Sequence, residues 1–429
     1  MIRKLQTWLF YLLVFLLPLN LGKHFIVSEA FVKTYLVDYL VPVVWVTDLI
    51  VFLILTVWFI SGGLKELPKE KYTKFILLFL VSLLPSIAVS VRILPSAFVF
   101  VGLVLHALFA LFVAVKVFPK IHFEKITSAL AVSVILLSVL ALAQWQGQGS
   151  VFDNYLFFGE QPYNASTENI ALTSLSGSLR VPVYGTFRHP NVFGGFLAIV
   201  LLWIFSQLLL GKKEGREAWR SAFYAVSLVA GLTALALTFS QVAATALLLG
   251  ALFLLVIKRF GKPGVIFSIV VTLLIFLFGL FLPVFPKLGL FQDNPSIYRR
   301  ANLQRSAYTM LKENTLFGVG LNNFTVRVED YLPPSQILRF TQPTHNIFVL
   351  LLAEAGIFAF ITFLALLIFV AVTLLEQPFG TPAVLFVTIL QLFIIGSLDH
   401  YLLTIQQTQL LFWLTVGLAL TYTKKDVEV

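Results

Sequence analysis

Residues 344–370 read THNIFVLLLAEAGIFAFITFLALLIFV, an apolar run that opens on a histidine. It exceeds the ~20 residues needed to cross a bilayer. Before it lies the segment 286–345, polar throughout, without a hydrophobic span and carrying Arg299, Arg300, Arg305 and Lys312. No other part of the chain stays polar for so long. His345 therefore stands where a long water-exposed loop re-enters the membrane, and this junction reads as the active site, with the other apolar segments as its scaffold.

The composition sets the class. The chain is 59% hydrophobic and 12% charged, with a mean hydropathy of +0.94, whereas soluble domains carry about 25% charged residues. It is a polytopic membrane protein by these measures. Having no cysteine, it has no disulfide framework and no thiolate nucleophile or metal site. Its net charge of +10 is spread through short loops, which suits an orientation bias rather than a nucleic-acid footprint.

Apolar segments predict an all-α fold of about twelve transmembrane helices: 5–20, 41–61, 75–91, 95–115, 126–146, 190–210, 221–239, 242–257, 265–285, 346–374, 383–398 and 403–422. Residues 1–285 thus hold helices one to nine, 286–345 form one long outward loop, and 346–429 hold helices ten to twelve and a cytoplasmic C-terminus. The basic N-terminal flank lacks a small-residue cleavage site, so the first apolar segment reads as a retained span. With both termini cytoplasmic, eighteen basic residues lie inside. Only Lys23, Lys33, Arg92, Arg180 and Arg188 lie outside apart from the long loop, as the positive-inside rule requires. The seven basic residues of 286–345 oppose that bias, and an outward arginine cluster calls for an anionic partner. This topology implies the cytoplasmic (inner) membrane, with the loop on its periplasmic or extracellular face.

Within the loop, residues 296–314 read as a helix capped by Ser296, with an apolar stripe of Leu303, Ala307, Met310 and Leu311. Arg300 lies about 60° from Leu303 on that helix, beside the stripe, while Arg305 points nearly the opposite way. Arg300 therefore either pairs with Glu313 or Asp293 or binds a phosphate. A second outward segment, 147–189, ends in Gly185-Thr186-Phe187-Arg188-His189-Pro190-Asn191. Thr186 or His189 caps a helix whose first residue is Pro190, or Arg188 and His189 join the mouth of the site. Gly318-Val319-Gly320 lacks the rest of a phosphate-binding fingerprint and reads as a turn. Among the histidines, His24 and His122 fall in loops, His106 sits in mid-span with hydrogen bonds inside the bundle, and His400, after Asp399, could border the site. Glu354, ~13 Å further along the helix than His345, faces away from it.

His345-Asn346 followed after nine residues by Gly356 resembles the H-[N/S/Q]-x9-G signature of the O-antigen ligase and O-antigen polymerase superfamily, which includes protein O-oligosaccharyltransferases. Gly185 to Asn191 with Phe193-Gly194, and Leu316-Phe317-Gly318-Val319-Gly320 with Phe324, are similar to two further motifs of that family. Arg300 and Ala307 match its R-x(3)-W-x(2)-A pattern. The likeness covers residues 180–375. Departures are Gln241 after Ser240 where the family has arginine, Gln304 for tryptophan, Thr315 for proline and Ala359 at the end of the ligase signature. They argue against a ligase specifically, and the acceptor type stays open.

The resemblance implies a GT-C-like glycosyltransferase that takes a glycan from undecaprenyl pyrophosphate at the outer face, inverts the anomeric centre and uses no metal or cofactor. The acceptor hydroxyl would belong to lipid A core, another glycan or a protein. The residues suit this chemistry. Neutral imidazole can deprotonate a hydroxyl, and guanidinium groups hold a pyrophosphate in bidentate fashion. His345 is the candidate base; Arg188, His189, Gln241, Arg299, Arg300, Arg305 and Asn346 are the candidate substrate-binding residues. Membrane lipids are the surrounding partner, and nucleic acid is not expected. Two alternatives compete with this reading. A lipid-linked oligosaccharide flippase would concentrate charge at mid-membrane, where only Asp48, His106 and Glu354 lie. A non-catalytic member of a glycan assembly complex would fit the missing arginine at Gln241.

Overall fold

The computed structural model describes residues 2–63, 65, 71–117, 123–211, 218–291, 294–332 and 342–423. His122, Asp293 and Arg339 lie outside the described residues, as do Lys69, Lys120, Lys212, Lys213, Arg216, Lys424 and Lys425 of the charge count.

Among the described residues fifteen α-helices follow one another: α1 Ile2–Leu16, α2 Val46–Ile60, α3 Lys71–Ala88, α4 Ile93–Phe112, α5 Phe123–Gly147, α6 Pro190–Gly211, α7 Ala218–Leu237, α8 Gln241–Phe260, α9 Lys262–Phe281, α10 Pro295–Glu313, α11 Phe324–Arg327, α12 Ile347–Leu375, α13 Thr381–Leu398, α14 Tyr401–Thr404 and α15 Gln406–Leu420. Among the described residues nine helices are long and apolar enough to cross a membrane. The other three expected spans fall on α1, α2 and α15, each of 15 residues. Such helices reach about 22 Å. Two of them are short for visible reasons. Residues at the start of the expected second span form β4 (Val43–Trp45), which pairs antiparallel with β1 (Gly22–His24). Ile405, extended at φ −116 and ψ 121, parts α14 from α15.

Outside the helices, short ribbons modify the all-α expectation. β2 (Phe31–Val32) pairs with β3 (Tyr35–Leu36), and β5 (Thr173–Leu175) with β6 (Ser178–Arg180). The centre of the bundle is α6, α13 and α15: the most apolar stretches of the first two are 83% and 78% buried and residues 407–420 of α15 are all buried, against 22% for the span that begins with α9. A helix apolar all round belongs in the interior. This arrangement brings the start of α6 and the end of α13 together in the middle of one end of the molecule.

α12 is not the single continuous span expected from 346–374. It breaks at Gly356, where φ is 78 and ψ −174, a region open only to glycine. The loop segment after α10 fills the break. Val319 N–H donates to Ala353 O at 2.9 Å, Gly320 N–H to Glu354 O at 3.0 Å, and Ile357 N–H to Thr315 O at 2.9 Å. A Cβ on Gly356 would come 2.2 Å from Leu316 O. Thus Gly318-Val319-Gly320 is a turn, as read, and it is also the strap that satisfies the backbone of a broken helix.

The break fixes the level of Glu354. Below it, α12 runs beside α3 through Phe75–Phe369 and Phe79–Phe363 ring contacts and a 2.8 Å Ser82–Thr362 hydroxyl bond. At the top of that seam Gly320 packs on Ser90, and Asn323 Oδ1 accepts from Arg92 N–H at 2.9 Å. Glu354, read from sequence as well inside a span, therefore lies level with the α3–α4 turn. Its carboxylate accepts from Asn322 N–H at 3.0 Å and Phe324 N–H at 2.9 Å. The loop helix α10 rides above, with Leu303, Ala307 and Met310 packed on Phe324, Val349, Leu350 and Ala353. Its cap is Asn294 rather than Ser296. The Asn294 side chain accepts from Ser296 N–H and Ile297 N–H, since Pro295 occupies the first helical position.

Candidate active site

Four helix ends converge. The start of α6 presents His189 and Asn191, the end of α13 presents Leu398, Asp399 and His400, the start of α12 presents His345, and α10 presents Arg299 and Arg300. His345 and His400 meet edge to face, their ring centroids 5.0 Å apart. One ligand atom from each of His345, Asp399 and His400 lies within 4.8 Å of the others. Asp399, buried, accepts from its neighbour's His400 N–H at 2.8 Å and from Asn191 Nδ2 at 3.5 Å. His400 Nδ1 is 2.7 Å from Thr404 Oγ1, and its ring touches Tyr39 at 5.6 Å between centroids.

His345 is half-buried, yet its Nδ1 is enclosed and makes no hydrogen bond among the described residues. An enclosed ring nitrogen without a partner is unusual and marks a place for a ligand or a proton. Burial first, then Arg300, His400, Arg299 and His189, holds the imidazole well below its ordinary pKa. Burial likewise lowers His400 to about 4, partly countered by Asp399. His189 is also lowered by burial, with Asp399 opposing and Arg300 and Arg299 assisting. All three rings are thus neutral at pH 7. Arg299 reaches the surface at one edge, but partial desolvation and the adjacent Arg300 work against its charge.

Arg300 donates from Nη1 to Leu398 O at 3.2 Å, the last carbonyl of α13. Glu313, considered as its partner, instead accepts from the Tyr331 hydroxyl at 3.0 Å. Among the described residues neither Arg299 nor Arg300 forms an ion pair, and Arg300 makes no further hydrogen bond beyond that to Leu398 O. The two guanidinium groups give the mouth a positive field, which favours an anion. By distance His345, Asp399 and His400 could gather round a cation, but two adjacent guanidinium groups oppose one.

Other expected residues take different places. Asn346 caps α12, its Oδ1 accepting from Phe348 N–H and Val349 N–H at 3.0 Å each while Nδ2 donates to Ser397 O at 2.9 Å. His189 Nδ1 accepts from Asn191 N–H at 3.1 Å, so it both caps α6 and faces the site. Arg305 is turned to the base of the loop, donating to Asn302 Oδ1 and Pro283 O at 2.9 Å each. Arg188 stands near His24, Nη2 to Nε2 3.2 Å, with its guanidinium over Trp45. Gln241 is exposed at the first position of α8. Sequence reading gave Asp399 no role; the Asp399-His400 pair at a span's outer end was its signal. Tyr39 had none, because the ribbon segment that carries it has no periodicity.

A helical membrane bundle with neutral imidazoles and free guanidinium groups gathered at one end is equipped for proton transfer beside a bound anion. Over residues 226–364 the chain matches the family model described as O-Antigen ligase, which supports its place in the O-antigen ligase/polymerase superfamily. The matched segment carries α10, the strap, His345 and the Gly356 break, whereas His189, Asp399 and His400 lie outside it. No curated protein matches the chain.

Proposed function

We propose that this protein is a membrane glycosyltransferase of the O-antigen ligase or polymerase type. It moves a glycan from undecaprenyl pyrophosphate to an acceptor hydroxyl at the outer face of the cytoplasmic membrane. The observation that carries this reading is the enclosed Nδ1 of His345, without a hydrogen-bond partner among the described residues and under the field of Arg300, within the segment that matches the O-antigen ligase family. Twelve spans in a GT-C-like arrangement, with both termini inside, would complete the picture.

In this mechanism His345 takes the acceptor's hydroxyl proton as the acceptor oxygen bonds to the anomeric carbon. The bond from that carbon to the pyrophosphate oxygen breaks, and undecaprenyl pyrophosphate leaves as a stable anion. One displacement inverts the centre. Arg300 and Arg299 neutralise the leaving group, and donor binding in turn raises the basicity of His345 by cancelling the charge that depresses it. Asp399 stabilises the imidazolium formed in the step. His345 then gives its proton to solvent.

Purified protein in vesicles, supplied with an undecaprenyl-pyrophosphate-linked glycan and a hydroxyl acceptor, tests this reading. Glycan transfer is expected. Movement of the donor across the bilayer without transfer would replace the enzyme reading with a flippase, to which the Asp48–His106 pair (2.9 Å) inside the bundle would lend itself.

A further inference from the structure

A cavity of about 140 Å³ adjoins the site. Tyr39 and Thr404, which both touch His400, form one wall. Its far wall carries Asp48, whose Oδ1 accepts from Gln406 Nε2 at 2.7 Å and lies 2.9 Å from His106 Nε2. Two residues that line it, Gln406 and Gln407, each carry an amide oxygen (Oε1) buried without a hydrogen-bond partner among the described residues. Gln407 is 1% exposed. Buried carbonyls left unpaired are costly, and they ask for hydroxyl donors. Trp45 and Phe79 supply apolar faces. The charged lining is Asp38, Asp48 and Glu354 against the single guanidinium of Arg188, so a phosphate is unwelcome here.

We propose that this cavity is a sugar subsite, receiving an uncharged ring of the glycan whose hydroxyls donate to Gln406, Gln407 and Asp48. The assignment rests on the glycan-transfer reading above. It separates two duties: Arg299 and Arg300 hold the pyrophosphate, and the cavity holds carbohydrate from either the donor or the acceptor, with His345 and His400 between them.

Gly102 of α4 lines the cavity and has open space where a Cβ would stand. Gly102→Leu fills the cavity and raises helix propensity, so folding is retained. Gln407→Met removes one acceptor, while Pro18 O keeps its Thr186 hydroxyl bond of 2.6 Å. Three quantities are read in each variant: the Kd for bare undecaprenyl pyrophosphate, the Kd for the lipid-linked glycan of the producing cells, and the acceptor KM. Gly102→Leu should raise the second or the third by about tenfold or more, identifying a donor or acceptor ring respectively, and leave the first unchanged. Gln407→Met should move the same quantity by less. Unchanged values throughout, or a matching loss for the bare lipid, would overturn the subsite. Absence of any transfer by the unaltered protein would refute the glycosyltransferase reading instead, and an unchanged Kd for the lipid-linked glycan in Gly102→Leu would then overturn the subsite as well.

Discussion

The imidazole of His345 meets that of His400 edge to face across 5.0 Å, although 54 residues and two helices of chain separate them. Both rings are neutral at pH 7, and only His345 has an enclosed nitrogen left unpaired. His345→Ala should lower kcat by about 10² to 10⁴, the usual range for loss of a general base, with donor Kd and melting temperature little changed. Near-normal turnover would pass the base role to His400.

Burial lowers His345 and His400 below the ordinary imidazole value of 6.5, His400 to about 4. Between folded and unfolded values the unfolded chain binds more protons, so acid destabilises the native state. The contribution is fully present above about 6.5 and is lost as pH falls toward 4. Melting temperature in detergent should drop across that window, and His400→Gln should flatten the drop. A profile identical in the two proteins would contradict the burial of His400.

Arg300 spends one N–H on Leu398 O at 3.2 Å. Lysine can replace that single bond but not a planar fork on pyrophosphate. Arg300→Lys should therefore impair transfer almost as much as Arg300→Ala, while its melting temperature stays close to that of the unaltered protein. Transfer retained in Arg300→Ala would exclude Arg300 from donor binding.

The gathered donors His345, Asp399 and His400 invite a direct test for metal. Transfer should persist in EDTA, and purified protein should carry no stoichiometric zinc or manganese. Loss of activity with chelator and its return with one divalent ion would show that the cluster is a metal centre despite Arg299 and Arg300.

Gly356→Ala places a Cβ 2.2 Å from Leu316 O at a φ of 78. Backbone strain alone contributes about 1–3 kcal/mol there. The variant should melt well below the unaltered protein and transfer poorly; normal stability would mean that the strap can withdraw.

Hydropathy disclosed where the helices lie, because a run of apolar residues is a local property. His345, Gly356 and Arg300 were legible through their spacing within one stretch. His400 was legible as a border of the site from its place at a span's outer end, whereas Asp399 had no role to read, since its meeting with His345 depends on α12 and α13 packing side by side. The strands at Gly22–His24 and Val43–Trp45 are too short to alternate visibly. Glu354 read as an acid well inside a span and is indeed buried, but hydropathy could not show that the loop after α10 folds back onto the break at Gly356, so that its carboxylate serves Asn322 and Phe324.

The strap that holds Ala353, Glu354 and Ile357 has a further consequence for α12. In an unbroken helix each residue inserted or removed turns everything beyond it by about 100°, so a change among the lipid-facing turns would swing His345 out of alignment. Here the nine residues from Ile347 to Ala355 take their angular phase from the loop and from α10, not from the turns below. The membrane-crossing half can therefore change length with bilayer thickness while the histidine keeps its bearing.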